Sequence, residues 1–282
     1  MKKVMCAAAV AGIAIASFAV ESSNVVGYQA KSVTAGEYNM QCATFLPVSK
    51  AATAAVLGDF VANRAFGFGS GNIMTLTANG GRTGYVYTYL TAEEAAEYGI
   101  EGLVAGWYEI DYVNQEWDWE TPIPAAKCGN SLSLPYGTMF IVQAPDGAAV
   151  TYNGQVLDVN YSFSINAGEY NMLGNATPVD LTLGDFTANR DFGFGSGNVM
   201  TLTPNGGRTD KVYTYLTAEE AAEYEISGLL PGWYDIDYVN QEWDWASPIP
   251  SEKCGNSLPT PAGYGFIVQA PDGAVLELPK AL

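Results

Sequence analysis

The stretch "LGDFVANRAFGFGSGN" begins at Leu57 and returns as "LGDFTANRDFGFGSGN" at Leu183, an offset of 183 minus 57, or 126 residues. The same offset aligns "VYTYLTAEEAAEY" at Val86 with Val212, and "FIVQAPDGA" at Phe140 with Phe266. Between these anchors the halves are roughly four-fifths identical without a gap, which marks a repeat of domain size, not a short solenoid unit. Upstream, "AGEYNM" recurs at Ala35 and Ala167, 132 residues apart, so the first half carries six extra residues (132 minus 126) near "SKAATAAV". The expected organisation is a repeat-1 domain over 20–154 and a repeat-2 domain over 155–282, each of ordinary domain size.

The opening "MKKVMCAAAVAGIAIASFAV" places Lys2 and Lys3 before an apolar run and then small residues, the layout of a secretory signal peptide over 1–19. The apolar run is shorter than the ~20 residues that a spanning helix needs. Cys6 precedes most of that run, out of position for a lipid acceptor. The reading is therefore a secreted protein, extracellular, at the cell surface or in the periplasm.

Twelve basic residues face 30 acidic ones. Removing Lys2 and Lys3 leaves 10 minus 30, a charge of −20. Such a surface repels nucleic acid and anionic lipid, which need neutralising Lys and Arg. Charged residues are nevertheless only 15% of the chain against 48% hydrophobic, enough apolar material for a folded core.

Each half reads mainly as β. "NIMTLTANGGRTGYVYTYL" is a hairpin pattern turning at Asn79-Gly80-Gly81, and "TMFIVQAPDGAAVTY" is a second, turning at Pro145-Asp146-Gly147. In "TAEEAAEY", Thr91 and Glu94 (Thr217 and Glu220) form a capping box that starts one short helix per half. The expected fold is mainly β: two tandem β-sandwich or partly open barrel domains, each with one short helix.

The most distinctive segment is "WYEIDYVNQEWDW" from Trp107, repeated from Trp233 as "WYDIDYVNQEWDW". Period-two alternation predicts a hairpin turning at Asn114-Gln115, with Asp111 opposite Asp118 and Tyr112 opposite Trp117. One face would then be acidic. Asp111, Glu116 and Asp118, with Asp237, Glu242 and Asp244, become candidate ligands for Ca2+, a hard cation that takes carboxylate oxygens. The competing reading is a solvated acidic face whose repulsion water and salt screen.

The other face would be aromatic. Trp107, Trp117 and Trp119, with Trp233, Trp243 and Trp245, are candidate ligand or contact residues: a stacking platform for glycans, a contact surface for another subunit, or ordinary core.

No histidine occurs in the chain. That removes the Ser-His-Asp and Cys-His arrangements in their usual forms and the commonest zinc ligand sets. "FGFGSGN" lacks the Gly-Lys-Ser/Thr of a phosphate loop. The Asp111–Asp118 pair would lie too close for most carboxylate-pair hydrolysis. Of the 4 cysteines, Cys42, Cys128 and Cys254 follow the leader, leaving a Cys128–Cys254 bridge, a Cys42–Cys128 bridge or free thiols open.

The order "GWYD", an acidic stretch, a proline and then "G-x-x-F-I-V", with "NVVGY" at Asn24, resembles duplicated β-rich proteins secreted by Gram-negative bacteria. That resemblance implies export and β structure and brings no catalytic residues. The expectation is a non-enzymatic structural or surface-assembly protein that contacts itself or other surface proteins. Its alternative is a carbohydrate-binding or adhesion protein using the aromatic-acidic segments, with doubled sites raising avidity.

Overall fold

The computed structural model describes residues 26–37, 39–47, 54–63, 75–78, 86–157, 159–189, 201–204 and 212–280. The segment 1–19 expected as a signal peptide, the expected Asn79-Gly80-Gly81 turn and both "FGFGSGN" runs lie outside these residues.

In the first half the strands are β1 (Val26–Val33), β2 (Asn39–Cys42), β3 (Ala54–Val56), β4 (Val61–Ala62) and β5 (Thr75–Ala78). They continue with β6 (Tyr87–Leu90), β7 (Gly106–Glu109), β8 (Ser133–Pro135), β9 (Met139–Gln143) and β10 (Ala148–Gln155). The second half has β11 (Tyr161–Ile165), β12 (Tyr170–Gly174), β13 (Leu181–Thr182), β14 (Thr187–Ala188) and β15 (Thr201–Pro204). After these come β16 (Tyr213–Leu216), β17 (Gly232–Asp235), β18 (Pro259–Thr260), β19 (Gly265–Gln269) and β20 (Ala274–Leu278).

The sheets are small and match between halves. A five-stranded sheet runs β2-β9-β5-β6-β7, and its counterpart runs β12-β19-β15-β16-β17. A three-stranded sheet, β1-β10-β4, has the counterpart β11-β20-β14, and β3-β8 matches β13-β18. Among the described residues no sheet closes into a barrel. No described helix is long and apolar enough to cross a membrane. The strand β10 runs one residue past the expected boundary at 154, ending at Gln155.

The first expected hairpin has its strands: β5 and β6 pair antiparallel, Thr75 with Thr88 and Leu76 with Tyr87. The second is corrected. Its turn forms where the sequence places it, with Gly147 at φ 74° and its N–H on the Ala144 carbonyl at 3.0 Å. Yet β9 pairs with β2 and β5 while β10 pairs with β1 and β4, so the turn hands the chain from one sheet to another. Local alternation cannot distinguish a hairpin from such a corner, because both need a tight reversal between two half-buried strands.

The helices α1 (Ala92–Glu97) and α2 (Ala218–Glu223) begin at the expected capping boxes. Glu94 N–H donates to Thr91 Oγ1 at 3.2 Å and Thr91 N–H to Glu94 Oε2 at 3.2 Å, satisfying two N-terminal donors that the helix leaves open. Each half buries its own apolar cluster, drawing Val150 and Tyr152 from the three-stranded sheet together with Trp107, Phe140 and Val142 from the five-stranded one. Trp233, Phe266, Val268 and Leu276 do the same in the second half, whose cluster also takes in Cys42 and Tyr136 from the first.

The halves also meet. Gln41 bridges to Tyr264 and Thr138 to Leu173, both antiparallel. Gln41 and Leu173 are 132 residues apart and Thr138 and Tyr264 are 126 apart, so each bridge is the counterpart of the other. Two similar surfaces thus face each other about a local two-fold relation, as in an isologous dimer. Cys42 N–H donates to the Gly263 carbonyl at 3.1 Å, and Tyr136 OH to the buried Ala176 carbonyl at 2.6 Å. All three described cysteines are free thiols, so neither disulfide considered from the sequence is present.

Candidate functional site

The segment after β7 is not a hairpin. Ile110 N–H still reaches the Val86 carbonyl at 2.9 Å, which extends the β6–β7 ladder by one residue. Asp111 then enters helical space (φ −66°, ψ −39°), and Tyr112–Glu116 forms a single wide helical turn closed by Trp117 N–H on the Tyr112 carbonyl at 2.9 Å. The second half repeats this over Tyr238–Glu242, with Trp243 N–H on Tyr238 at 2.9 Å. A hairpin would set Asp111 against Asp118 in near contact, and the wide turn avoids that repulsion.

This geometry redistributes the acids. Asp111, Glu116 and Asp118 are exposed, as are Asp237, Glu242 and Asp244. Among the described residues no group of three or more acids, cysteines or histidines converges as a metal cage would require. The opposed Asp111–Asp118 pair, the premise for both calcium and carboxylate-pair hydrolysis, is absent.

Asp118 shapes the backbone instead. Its Oδ1 accepts from Glu120 N–H at 3.1 Å, Thr121 N–H at 3.1 Å and Thr121 Oγ1 at 2.8 Å. These bonds hold its carboxyl below the usual range, the Thr121 hydroxyl contributing most. Asp244 does the same with Ser247 and Ala246. Lys127 pairs with Glu109 at 3.0 Å and lies over the Tyr112 ring. Lys253 pairs likewise with Asp235 at 3.7 Å.

The six tryptophans divide into three kinds. Trp107 and Trp233 are fully buried core residues whose indole N–H groups donate to the Phe60 and Phe186 carbonyls, both at 2.8 Å. They belong to the core, not to a contact surface. Trp117 and Trp243 are also buried and donate to the Thr121 and Ser247 carbonyls.

Trp119 and Trp245 alone reach solvent, Trp245 with 37% exposure. Both adopt left-handed backbone, φ 64° and 63°. They lie inside the turns that Asp118 and Asp244 close onto residues 120–121 and 246–247. A bulky residue in this region is strained by about 1–3 kcal/mol.

The strained indole is supported from behind. Trp119 stacks on Trp117 at 4.9 Å between centroids and 26° between planes, and Tyr98, the C-cap of α1, meets it edge-on at 5.3 Å. The second half has Trp245 on Trp243 at 5.0 Å and 24°, with Tyr224 at 5.0 Å. In the first half a shallow cleft of about 560 Å³ opens beside Trp119, lined by Tyr98, Ile100, Glu101, Glu120 and Pro122.

Sequence reasoning missed Tyr98 and Tyr224, reading them only as the ends of helices. The contact is between elements, and the available signal was that an aromatic residue stands at the helix C-terminus in both halves. Comparisons with protein-family models, with curated proteins and with solved structures each return no match.

Proposed function

We propose that this is a secreted, non-enzymatic binding protein of the bacterial exterior, built from two homologous β domains that arose by duplication. Its two aromatic platforms, centred on Trp119 and Trp245, engage neutral glycans. The observation that carries this reading is the left-handed tryptophan present at the same place in both halves. Strain in a bulky exposed residue persists where its position is useful.

What the two platforms share points to the partner. Tyr98, Ile100, Trp119 and Pro122 are kept as Tyr224, Ile226, Trp245 and Pro248, whereas the acids Glu101 and Glu120 become Ser227 and Ala246. The common chemistry is therefore a ring face with a supporting aromatic cluster, suited to the apolar face of a sugar ring. The net charge of −18 disfavours anionic polymers. Two weak sites on one chain gain avidity on a polymer that presents many rings.

The test is retention on insoluble cellulose, chitin and starch. The wild-type protein is expected to be retained on at least one of them, Trp119→Ala and Trp245→Ala each to be released more readily, and the double variant to be lost. Retention of the double variant at wild-type level would overturn the reading.

A second reading, assembly with further copies of the chain, is favoured by one observation. Val104 and Leu230, counterparts in the loop between helix and β7 or β17, are 57% and 65% exposed. Light scattering decides it: concentration-dependent assemblies that Val104→Ser with Leu230→Ser dissolves would establish assembly, and a monomer throughout would exclude it.

A further inference from the structure

The local two-fold relation between the halves creates two edges, and one has diverged into something different. Between β1 and β2 of the first half and the 261–264 segment of the second lies a cleft of about 440 Å³, within the range of small-molecule sites. Its lining includes Lys31, Gln41 and Tyr264. At the opposite edge their counterparts are Phe163, Leu173 and Thr138, by the 132- and 126-residue offsets. In a chain whose halves are otherwise so alike, one edge gained an ammonium, a carboxamide and a phenol where the other has two apolar side chains and a threonine.

Gln41 is the most informative of the three. It keeps only 5% of its surface, yet no described residue hydrogen-bonds its side chain. Its carboxamide lines the cleft and is not sealed from solvent, so its donors and acceptor are open to whatever occupies that space. The neighbouring polar groups are already engaged. Asn39 spends its side chain on Thr34, Glu37 and Val142 backbone, and Gln29 is held by Thr44 at 2.8 Å.

Lys31 donates to the Ala262 carbonyl, and Asp180 accepts from the Ala262 N–H at 2.9 Å and lies close enough to stabilise the ammonium. Burial outweighs that attraction and lowers the Lys31 pKa, and Glu37 stands exposed at the rim. The cleft offers unspent hydrogen-bonding capacity and an aromatic ring, without net positive charge.

We infer that this inter-half cleft is a ligand site, present once per chain and separate from the tryptophan platforms, for a neutral polyhydroxylated molecule the size of one sugar residue. The Gln41 carboxamide supplies two donors and an acceptor, and the Tyr264 phenol one more of each beside its ring.

The experiment titrates the isotope-labelled full chain with D-glucose, D-galactose, D-mannose and N-acetyl-D-glucosamine and follows backbone amide shifts. The inference expects saturable shifts at Ser32, Met40, Gln41, Gly263 and Tyr264 with at least one of these probes, in the millimolar range. Gln41→Leu installs the residue that position 173 already carries and should weaken binding tenfold or more. Tyr264→Thr, which installs the residue of position 138, reads the same loss should the first variant misfold. The Trp119→Ala, Trp245→Ala double variant should keep the cleft shifts, so failure of the platform reading and failure of this one are distinguishable. Absence of saturable cleft shifts with all four sugars, shifts confined to the Trp119 and Trp245 segments, or undiminished binding in both cleft variants would overturn it.

Discussion

Met139 occupies the space that a side chain at Gly265 would need: a Cβ built on Gly265 falls 2.5 Å from the Met139 sulfur and 2.4 Å from its Cγ. The two positions are counterparts, 126 residues apart, and they meet where the halves face each other. Cys42 and Gly174, 132 residues apart, make a second such pair, with Cys42 Sγ 2.6 Å from a Cβ on Gly174. A two-fold contact between identical surfaces would set large against large and small against small. The differences between the repeats resolve this by placing the knob on one half and the hole on the other.

Gly174→Ala should therefore destabilise the protein by about 1–3 kcal/mol, because its new methyl meets the Tyr264 backbone carbonyl as well as Cys42. Gly265→Ala should cost less, since the thioether of Met139 can swing aside. Urea unfolding of the two variants checks both the size and the order.

Trp107→Phe and Trp233→Phe remove indole donors from the buried Phe60 and Phe186 carbonyls. Each should cost about 1–3 kcal/mol, with the carbonyl left unpaired away from water. Chemical denaturation reads it, and binding by the exposed platforms should survive in the folded variants.

Trp119→Gly separates strain from function. Glycine accepts φ 64° freely, so relief of backbone strain offsets much of the lost stacking on Trp117, and stability should change by no more than about 1 kcal/mol. Trp117→Ala, which empties a buried site, should cost about 3–5 kcal/mol. Glycan retention should fall with both variants, while the melting temperature should fall steeply only with the second.

Burial pushes the Cys42 thiol up to about 12 from 9.0, and Tyr98, Tyr108, Tyr224, Tyr234 and Tyr264 up to about 12 from 10.0. All of these groups are neutral when protonated and have folded values above their unfolded ones. The stability they contribute is complete below pH 9 and is lost as the pH rises from 9 toward 12. Alkaline unfolding followed by tyrosinate absorbance should accordingly be cooperative in that window. Cys42 should resist thiol reagents at pH 8 until the protein unfolds.

Much of the scaffold was legible in the chain. The capping boxes at Thr91 and Thr217 and the β5–β6 pairing follow from local rules, and the matched sheets follow from the repeat. The aromatic segment misled because Tyr112 and Trp117, placed opposite each other in a hairpin, are also the two ends of an i to i+5 turn. Opposed Asp111 and Asp118 were themselves the warning against strands.

The contact between halves was hidden because the repeats read alike, but its trace lay in their differences. Leu134, Tyr136, Thr138 and Met139 become Thr260, Ala262, Tyr264 and Gly265 within a few residues, where the surrounding sequence barely changes. No local rule links Tyr98 to Trp119, so the platforms emerge only in the folded chain.

On the proposed function, each half carries one working platform. Calorimetric titration with a soluble oligosaccharide of whichever polysaccharide retains the protein tests it most directly, using wild type, Trp119→Ala, Trp245→Ala and the double variant. Two platform sites per chain are expected, one remaining in each single variant and none in the double variant. Unchanged stoichiometry and affinity across all four proteins would contradict it.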